Sequence, residues 1–397
     1  MNALRTQFFR HLAPTSQQPL LLDITSAQGI YLYDTSGTAY IDLISGISVS
    51  HVGHGNKAVV QAIEAQLSRH LHVMVYGEYI QWPQVAYAAR LAALLPPNLQ
   101  TVYFTNSGSE ATEGAMKLAK RLTGRFEIVS FRHCYHGSTQ GALSIIGDES
   151  LRNAFRPLIP GHRLLPYNDV QALQFITQQT AAVFVEPVQA EAGVVRASPE
   201  FLKALRQRCS EMGALLVFDE CQTGFGRTGR LFCFQQYDVI PDILILAKAL
   251  GGGLPLGAFI SSYERMQALS TEPALGHITT FGGHPLSCAA GLAALNFLLE
   301  SHLIEQVAEK QNAFVAKLQH PMVRELRSAG LLMALDVGDD QRCRQLVAAC
   351  REQQLATDCF LFAPHCLRLA PPLTITKDEV DEVCRRLWKA MDVVYYA

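Results

Sequence analysis

The chain has 397 residues, 49% of them hydrophobic, with 33 Lys and Arg against 35 Asp and Glu for a formal net charge of −2. That length fits two domains, or one large α/β domain with a smaller satellite, and the apolar share supplies a sizeable core. Charges of both signs are mixed along the chain with no basic tail or charge block, which speaks against nucleic-acid binding, and no apolar run reaches the length of a membrane span.

The N-terminal stretch MNALRTQFFRHLAPTSQQPLL has no long apolar centre of the kind a signal peptide needs. Residues 29–45, GIYLYDTSGTAYIDLIS, read as two short strands with a turn at Ser36-Gly37. From about residue 55 to 260, helical stretches alternate with short apolar strands at 101–106, 127–131, 181–187, 214–220, 242–247 and 257–262. Continuous apolar strands separated by helices imply a mostly parallel sheet covered on both faces. Beyond residue 284 the pattern changes. HPLSCAAGLAALNFLLESHLIEQVAEKQNAFVAKLQ is one or two long helices, RSAGLLMALDVG and FLFAPHCLRLAPP read as strands, and helical segments lie between and after them. The expectation is a large α/β domain over 51–286 and a small α+β domain over 287–397, joined by the N-terminal segment 1–50. His51 with His54 and His133 with His136 have HxxH spacing, but neither pair comes with a third ligand cluster, so no metal is expected. The ten cysteines are scattered without a CxxC pair, the pattern of reduced thiols in a cytoplasmic protein.

In open α/β sheets, ligands bind beyond the C-terminal ends of the strands, so the residues there matter most. Strand 101–106 runs into Ser107-Gly108-Ser109, a small turn opening a helix. It is either an ordinary N-cap or a cradle of backbone N–H groups for a phosphate. Strand 214–220 ends in Asp219-Glu220, and a carboxylate at the buried end of an apolar strand needs a partner. That partner is a structural arginine or N–H group, or the protonated ring nitrogen of a cofactor. Gly224-x-Gly226-x-x-Gly229 matches the dinucleotide fingerprint weakly, because DECQT separates it from the strand and RLFCFQQYDV is no helix start. Lys248 ends the apolar run DILILA and precedes three glycines. A lysine there either snorkels to water or is buried at a cost of several kcal/mol unless it sheds its proton. A deprotonated amine is what Schiff-base chemistry needs. Schiff-base lysine, ring-nitrogen carboxylate and phosphate cradle are together the three fixtures of pyridoxal phosphate, and their joint presence favours that cofactor.

Taken in order, GIYLYDTSGTAYIDLISGISVSHVGHGN, NSGSEATEGAMKLAK, YHG, VEPVQAEAGV, FDECQTGFGRTG, AKALGGGLPLGA, TTFGGHP and LRLAPPL resemble the class III aminotransferases, pyridoxal-phosphate enzymes of fold type I, over nearly the whole chain. The resemblance implies a Schiff base on Lys248, which also moves the substrate proton, and Asp219 on the ring nitrogen. It implies Gln222 at the ring's 3-oxygen, Ser107, Gly108 and Ser109 at the phosphate, and Tyr135, followed by His136, stacked on the ring where the family often has Phe. Thr280, beside Thr279, would bind the phosphate of the neighbouring subunit's cofactor, so a homodimer with a shared site is expected. Arg368 would bind the α-carboxylate of glutamate or 2-oxoglutarate. Glu191 would pair with that arginine when an ω-amine occupies the site, and Glu186 would orient neighbours near the cofactor.

Three positions depart from the acetylornithine and ornithine pattern. Ser138 stands where those enzymes carry an arginine for the donor's far carboxylate, which removes a charge-assisted contact. Arg132 or Arg163 is a candidate replacement. Ile47 stands where ornithine enzymes of the mammalian type carry tyrosine, and His284 replaces the asparagine of FGGNP. The expected activity is a ping-pong transamination from an ω-amine to 2-oxoglutarate, of acetylornithine or ornithine type first. Diaminobutyrate, 4-aminobutyrate or lysine, or pyruvate-linked amines, come next. A nicotinamide-dependent oxidoreductase rests only on the glycine match. A catalytically dead binding protein would lack Lys248 or Asp219, and both are present.

Overall fold

The apolar runs in the middle of the chain form strands because their β-branched and aromatic side chains leave no polar stripe for solvent on either face. The computed structural model describes residues 3–396, so the first two residues and the last one of the expected domain ranges lie outside the described residues. After a short helix come β1 (Ile24–Gln28), β2 (Tyr31–Asp34) and β3 (Ala39–Asp42). The central part contributes β4 (Thr101–Thr105), β5 (Glu127–Phe131), β6 (His162–Leu165) and β7 (Thr180–Val185). A small hairpin of β8 (Val188–Gln189) and β9 (Val195–Arg196) follows. Then come β10 (Leu215–Asp219), β11 (Ile243–Ala247) and β12 (Gly257–Ser261). The C-terminal part adds β13 (Glu325–Ala329), β14 (Leu332–Asp336), β15 (Leu355–Ala356) and β16 (Cys366–Leu369).

Seven strands form one sheet in the order β4-β12-β11-β10-β7-β5-β6. Its neighbours are parallel except β12, which runs antiparallel to both β4 and β11. Alternate residues of a strand enter different cores. In β10, Leu216 and Phe218 join one buried cluster and Val217 the other, the two-residue period of a pleated strand. The helix Gly108–Thr123 covers the second face with Ala111, Ala115, Leu118 and Ala119. It packs closely because residue 114 is glycine: a Cβ there would lie 2.3 Å from Phe259 Cε1.

The second region is built on two small sheets. One has the order β1-β2-β3-β15, with β15 parallel to β3, so residues near the two ends of the chain share a sheet. The other is the antiparallel β13-β14-β16. The stretch RSAGLLMALDVG, expected as one strand, belongs to a hairpin that turns at Gly330, because its φ of +64° lies in the left-handed region that glycine adopts freely. In FLFAPHCLRLAPP only Cys366–Leu369 is a strand. The long helical stretch after residue 284 is two helices, Pro285–Glu300 and Leu303–Lys317, bent by 70° at Ser301-His302. Among the described residues no single helix is long and apolar enough to cross a membrane. Strands β1, β6 and β15 were not apparent from the sequence: ITSAQ is mostly exposed, HRLL is half polar, and β15 has only two residues.

Candidate active site

The parallel strands all end on one side of the sheet, and the side chains just past those ends converge on a cavity of about 440 Å³. From β4 come Asn106 and the turn Ser107-Gly108-Ser109, from β5 the loop with Tyr135 and His136, from β7 Glu186, from β10 Asp219 and Gln222, and from β11 Lys248. Ser107 caps the helix Gly108–Thr123, its Oγ accepting from Glu110 N at 3.2 Å. The N-cap and the cradle are therefore the same turn, with the first-turn N–H groups at the cavity wall. Gly137 brings the β5 loop against that helix start. Its φ is +126°, and a Cβ there would lie 2.2 Å from Ser109 Oγ, so a side chain would push the loop away.

Lys248 interrupts the strand geometry with φ +56°, a left-handed conformation costly for a residue with a Cβ and common at functional positions. Its Nζ makes no hydrogen bond or ion pair among the described residues, although it lines the cavity. Burial pushes its pKa below that of an ordinary lysine, against the pull of Glu191 and Asp219. Asp219 Oδ2 accepts from His136 Nδ1 at 2.8 Å and Oδ1 from Cys221 N at 3.0 Å. Burial would raise the Asp219 carboxyl, but the His136 hydrogen bond and charge hold it below the usual carboxylate range. Burial would likewise lower His136, yet Cys134 and Asp219 hold its pKa well above that of an ordinary histidine. Glu186 accepts from Tyr135 N at 3.1 Å, and burial raises its carboxyl well above the normal range.

Beside the cavity lies a charged pair. Arg368 NH1 and NH2 donate to Glu191 Oε1 and Oε2 at 3.1 and 3.0 Å, a bidentate contact. Arg368 Nε donates to Asp358 Oδ1 at 2.8 Å, and its guanidinium stacks 4.3 Å from the Phe360 ring. Glu191 also accepts from Gln222 Nε2 at 2.8 Å and Leu361 N at 3.1 Å. Burial alone would raise Glu191; the charge and hydrogen bonds of Arg368 bring it to about 2 instead. The pair leaves Gln222 Oε1 buried without a partner, and that residue lines the cavity.

Other expected residues stand apart. Ser138 Oγ bonds to the Tyr135 hydroxyl at 3.0 Å and is exposed. Arg163 pairs with Glu127 at 2.9 Å, at the opposite end of β5, and Arg132 is exposed outside the cavity lining. No arginine replaces the one missing at position 138 in this lining. Thr279 accepts from Asn106 Nδ2 at 2.8 Å, one layer behind the cavity, and Thr280 is exposed. Ile47 is half-buried with φ +64°, and Val49 reaches the cavity instead. Gly226 and Gly229 sit in tight turns with φ +86° and +89° and open no helix. A Cβ at Gly226 would meet Ile304 at 2.8 Å, so that glycine serves packing. The HxxH residues face separate partners: His51 binds Phe225 O, His54 Asp42 and His136 Asp219. Sequence reading missed Asn106, signalled by its place before the cradle. Glu113, expected with Ser109 and Thr112 in a helix cap, instead holds Thr139 Oγ1 and Gly141 N at 2.7 and 2.8 Å and so fixes the loop after Gly137, while Ser107 makes the cap.

These residues fit a phosphorylated pyridine aldehyde. The cavity offers backbone N–H groups at a helix start, an unpaired amine, a buried carboxylate with its charge maintained, and an orphaned amide oxygen. The profile of the family described as aminotransferase class-III matches residues 12–391. An acetylornithine aminotransferase of Methanopyrus kandleri is 41% identical over 386 residues, covering 96% of each chain. One of Bacillus subtilis is 38% identical, covering 93% of this chain and 95% of its own. The structure of an ornithine aminotransferase from Toxoplasma gondii superposes with TM-score 0.89 at 29% identity, covering 99% and 95%. A PLP-bound amine transaminase from an uncultivated Pseudomonas species superposes with TM-score 0.89 at 26% identity, covering 97% and 98%.

Proposed function

The chain belongs to the class-III aminotransferases, pyridoxal-phosphate-dependent transaminases of fold type I, and we propose that it moves the ω-amino group of an ornithine-like donor to 2-oxoglutarate. The Glu191–Arg368 pair carries this reading. A bidentate pair next to the cavity suits a site that stays neutral while an ω-amine reacts and exposes a guanidinium when a keto acid arrives. The cofactor, when bound, supplies an aldehyde that takes the amine and a ring that accepts electrons. Lys248 Nζ, with its pKa lowered, would take the proton from the donor's amine-bearing carbon and carry it to the carbon that had been the cofactor's aldehyde, the shift that transamination requires. Asp219, kept ionised by His136, would hold a proton on the ring nitrogen. Ser107, Gly108 and Ser109 would hold the phosphate, Tyr135 would lie against the ring, and Gln222 would hydrogen-bond the ring oxygen. Glu186 fixes the Tyr135 backbone.

The visible spectrum of the holoenzyme should lose its yellow band on adding L-glutamate. A band that persists sinks the glutamate and 2-oxoglutarate assignment. Arg368→Ala should retain the band and fail to react with glutamate. One observation favours a second reading, 4-aminobutyrate, diaminobutyrate, lysine or pyruvate-linked amines as donors: Ser138 and Tyr135 present hydroxyls where a far carboxylate would need an arginine. A screen of donors against 2-oxoglutarate and pyruvate separates the two.

The division into a large domain over 51–286 and a small one from 287–397 with 1–50 is supported by the β3–β15 pairing. The enzyme works as a homodimer. Support comes from the apolar surface around Ile80, 95% exposed, Trp82, 63% exposed, and Phe281, 52% exposed, with Thr280 beside it. Thr280 would bind the phosphate of the second copy's cofactor and Thr279 would brace Asn106. Ten free thiols fit a cytoplasmic setting.

A further inference from the structure

We propose that Cys343 and Cys359 are an oxidisable thiol pair whose disulfide formation, driven by a peroxide, closes the carboxylate gate at Arg368. Cys343 is buried on the helix Asp340–Glu352, and Cys359 is half-buried on the segment that crosses it. Their sulfurs lie 3.2 Å apart, and a disulfide brings them to about 2 Å. None of the other eight cysteines has such a sulfur contact. Cys359 is the thiol that meets the peroxide first: it is half-buried, whereas Cys343 is buried.

The step balances. The Cys359 thiolate attacks a peroxide oxygen, the S–O bond forms, the O–O bond breaks, and hydroxide leaves as water. The Cys343 sulfur then attacks Cys359 Sγ, the S–S bond forms, the S–O bond breaks, and a second water leaves. Two thiols lose two electrons in total and the peroxide gains them.

The consequence follows from the neighbours of Cys359. Asp358 holds Arg368 Nε, Phe360 stacks on the guanidinium, and Leu361 N donates to Glu191 Oε2. Cys359 bridges Leu367, next to Arg368, across the same hairpin. Leu361 N and Arg368 NH2 donate to the same Glu191 oxygen, so the segment helps set where that carboxylate sits. Stapling this segment to the helix Asp340–Glu352 restrains its movement away from Arg368. The coupling rests on the gate proposed above; the cross-link does not.

The test uses the holoenzyme. It is treated with hydrogen peroxide, alkylated, digested without reductant and mapped for a Cys343–Cys359 peptide. Its reactions with L-glutamate and with hydroxylamine, which needs no carboxylate site, are followed by stopped-flow absorbance. The cross-linked peptide should appear, glutamate should react about tenfold more slowly, hydroxylamine should react unchanged, and dithiothreitol should restore the rate. Cys343→Ser, or Cys343→Ala if the first folds poorly, should keep its glutamate rate after peroxide. Absence of the peptide overturns the thiol pair. A peptide with an unchanged glutamate rate overturns the coupling. A Cys343 variant inactivated like the parent moves the effect to another thiol, such as Cys221 at the cavity, and defeats the proposal. Arg368→Ala in untreated enzyme tests the gate separately.

Discussion

Lys248 stands where β11 stops, at the cavity. A residue earlier it would belong to a fully buried strand, and at φ +56° it leaves the ladder and points its amine into the cavity wall with no ion-pair partner. Lys248→Ala should lower turnover by at least about 10²–10⁴-fold, the usual worth of a positioned proton carrier, and abolish the yellow band; retained turnover refutes its role. Asp219→Asn should leave the fold intact and cost roughly 1.5–3 kcal/mol, the value of one charged hydrogen bond, read as a fall in kcat with glutamate. Glu191 adds a pH signature. Its folded pKa of about 2 lies below the ordinary 4.5, so its stabilisation is complete above about pH 4.5 and is lost as the pH falls toward 2. Stability measured by urea unfolding should therefore fall over that window, and Glu191→Gln should show a shallower fall. An unchanged pH profile in the variant would remove Glu191 from the account.

At the scale of elements, the helix Gly108–Thr123 joins cavity and core. Its N-terminal turn faces the cavity while Gly114, near its middle, lets it lie against Phe259. Two effects oppose each other in Gly114→Ala. Helix propensity favours alanine by about 1 kcal/mol, but a Cβ 2.3 Å from a buried ring forces overpacking worth about 1–3 kcal/mol. Phe259 is fully buried on a central strand and has little room to move, so overpacking wins. The variant should unfold at lower denaturant and hold pyridoxal phosphate less tightly. An equal or higher midpoint would show that the strand yields.

At the scale of the molecule, the cavity and the charged pair beside it draw on distant parts of the sequence. Asp219 in the lining ends β10 of the central sheet, while Arg368 beside the cavity comes from β16 in a separate sheet. The apolar surface near Ile80 and Phe281 is where a second copy would close the site. Ile80→Asp should shift the protein toward monomer in sedimentation and weaken cofactor retention, as Thr280→Ala should without dissociating the dimer. Unchanged cofactor affinity in Thr280→Ala would argue against a shared site.

The half-polar edge strand β6 escapes the sequence, but the other strands of the central sheet, the turn at Ser107-Gly108-Ser109, the strand-end positions of Asp219 and Lys248 and the family's motifs are legible in it. Each is written in a short contiguous stretch whose side-chain period or glycine pattern dictates the local backbone. The resemblance already paired Glu191 with Arg368; the three-dimensional packing added that the grip is bidentate, that Asp358 and Phe360 support it, that Arg132 and Arg163 lie away from the cavity, that Val49 lines the cavity where Ile47 was expected, and that Cys343 touches Cys359. Glu191 and Arg368 are 177 residues apart, and no local pattern encodes which side chains a folded chain brings within hydrogen-bonding reach. That is settled by how the small sheets pack against the ends of the large one.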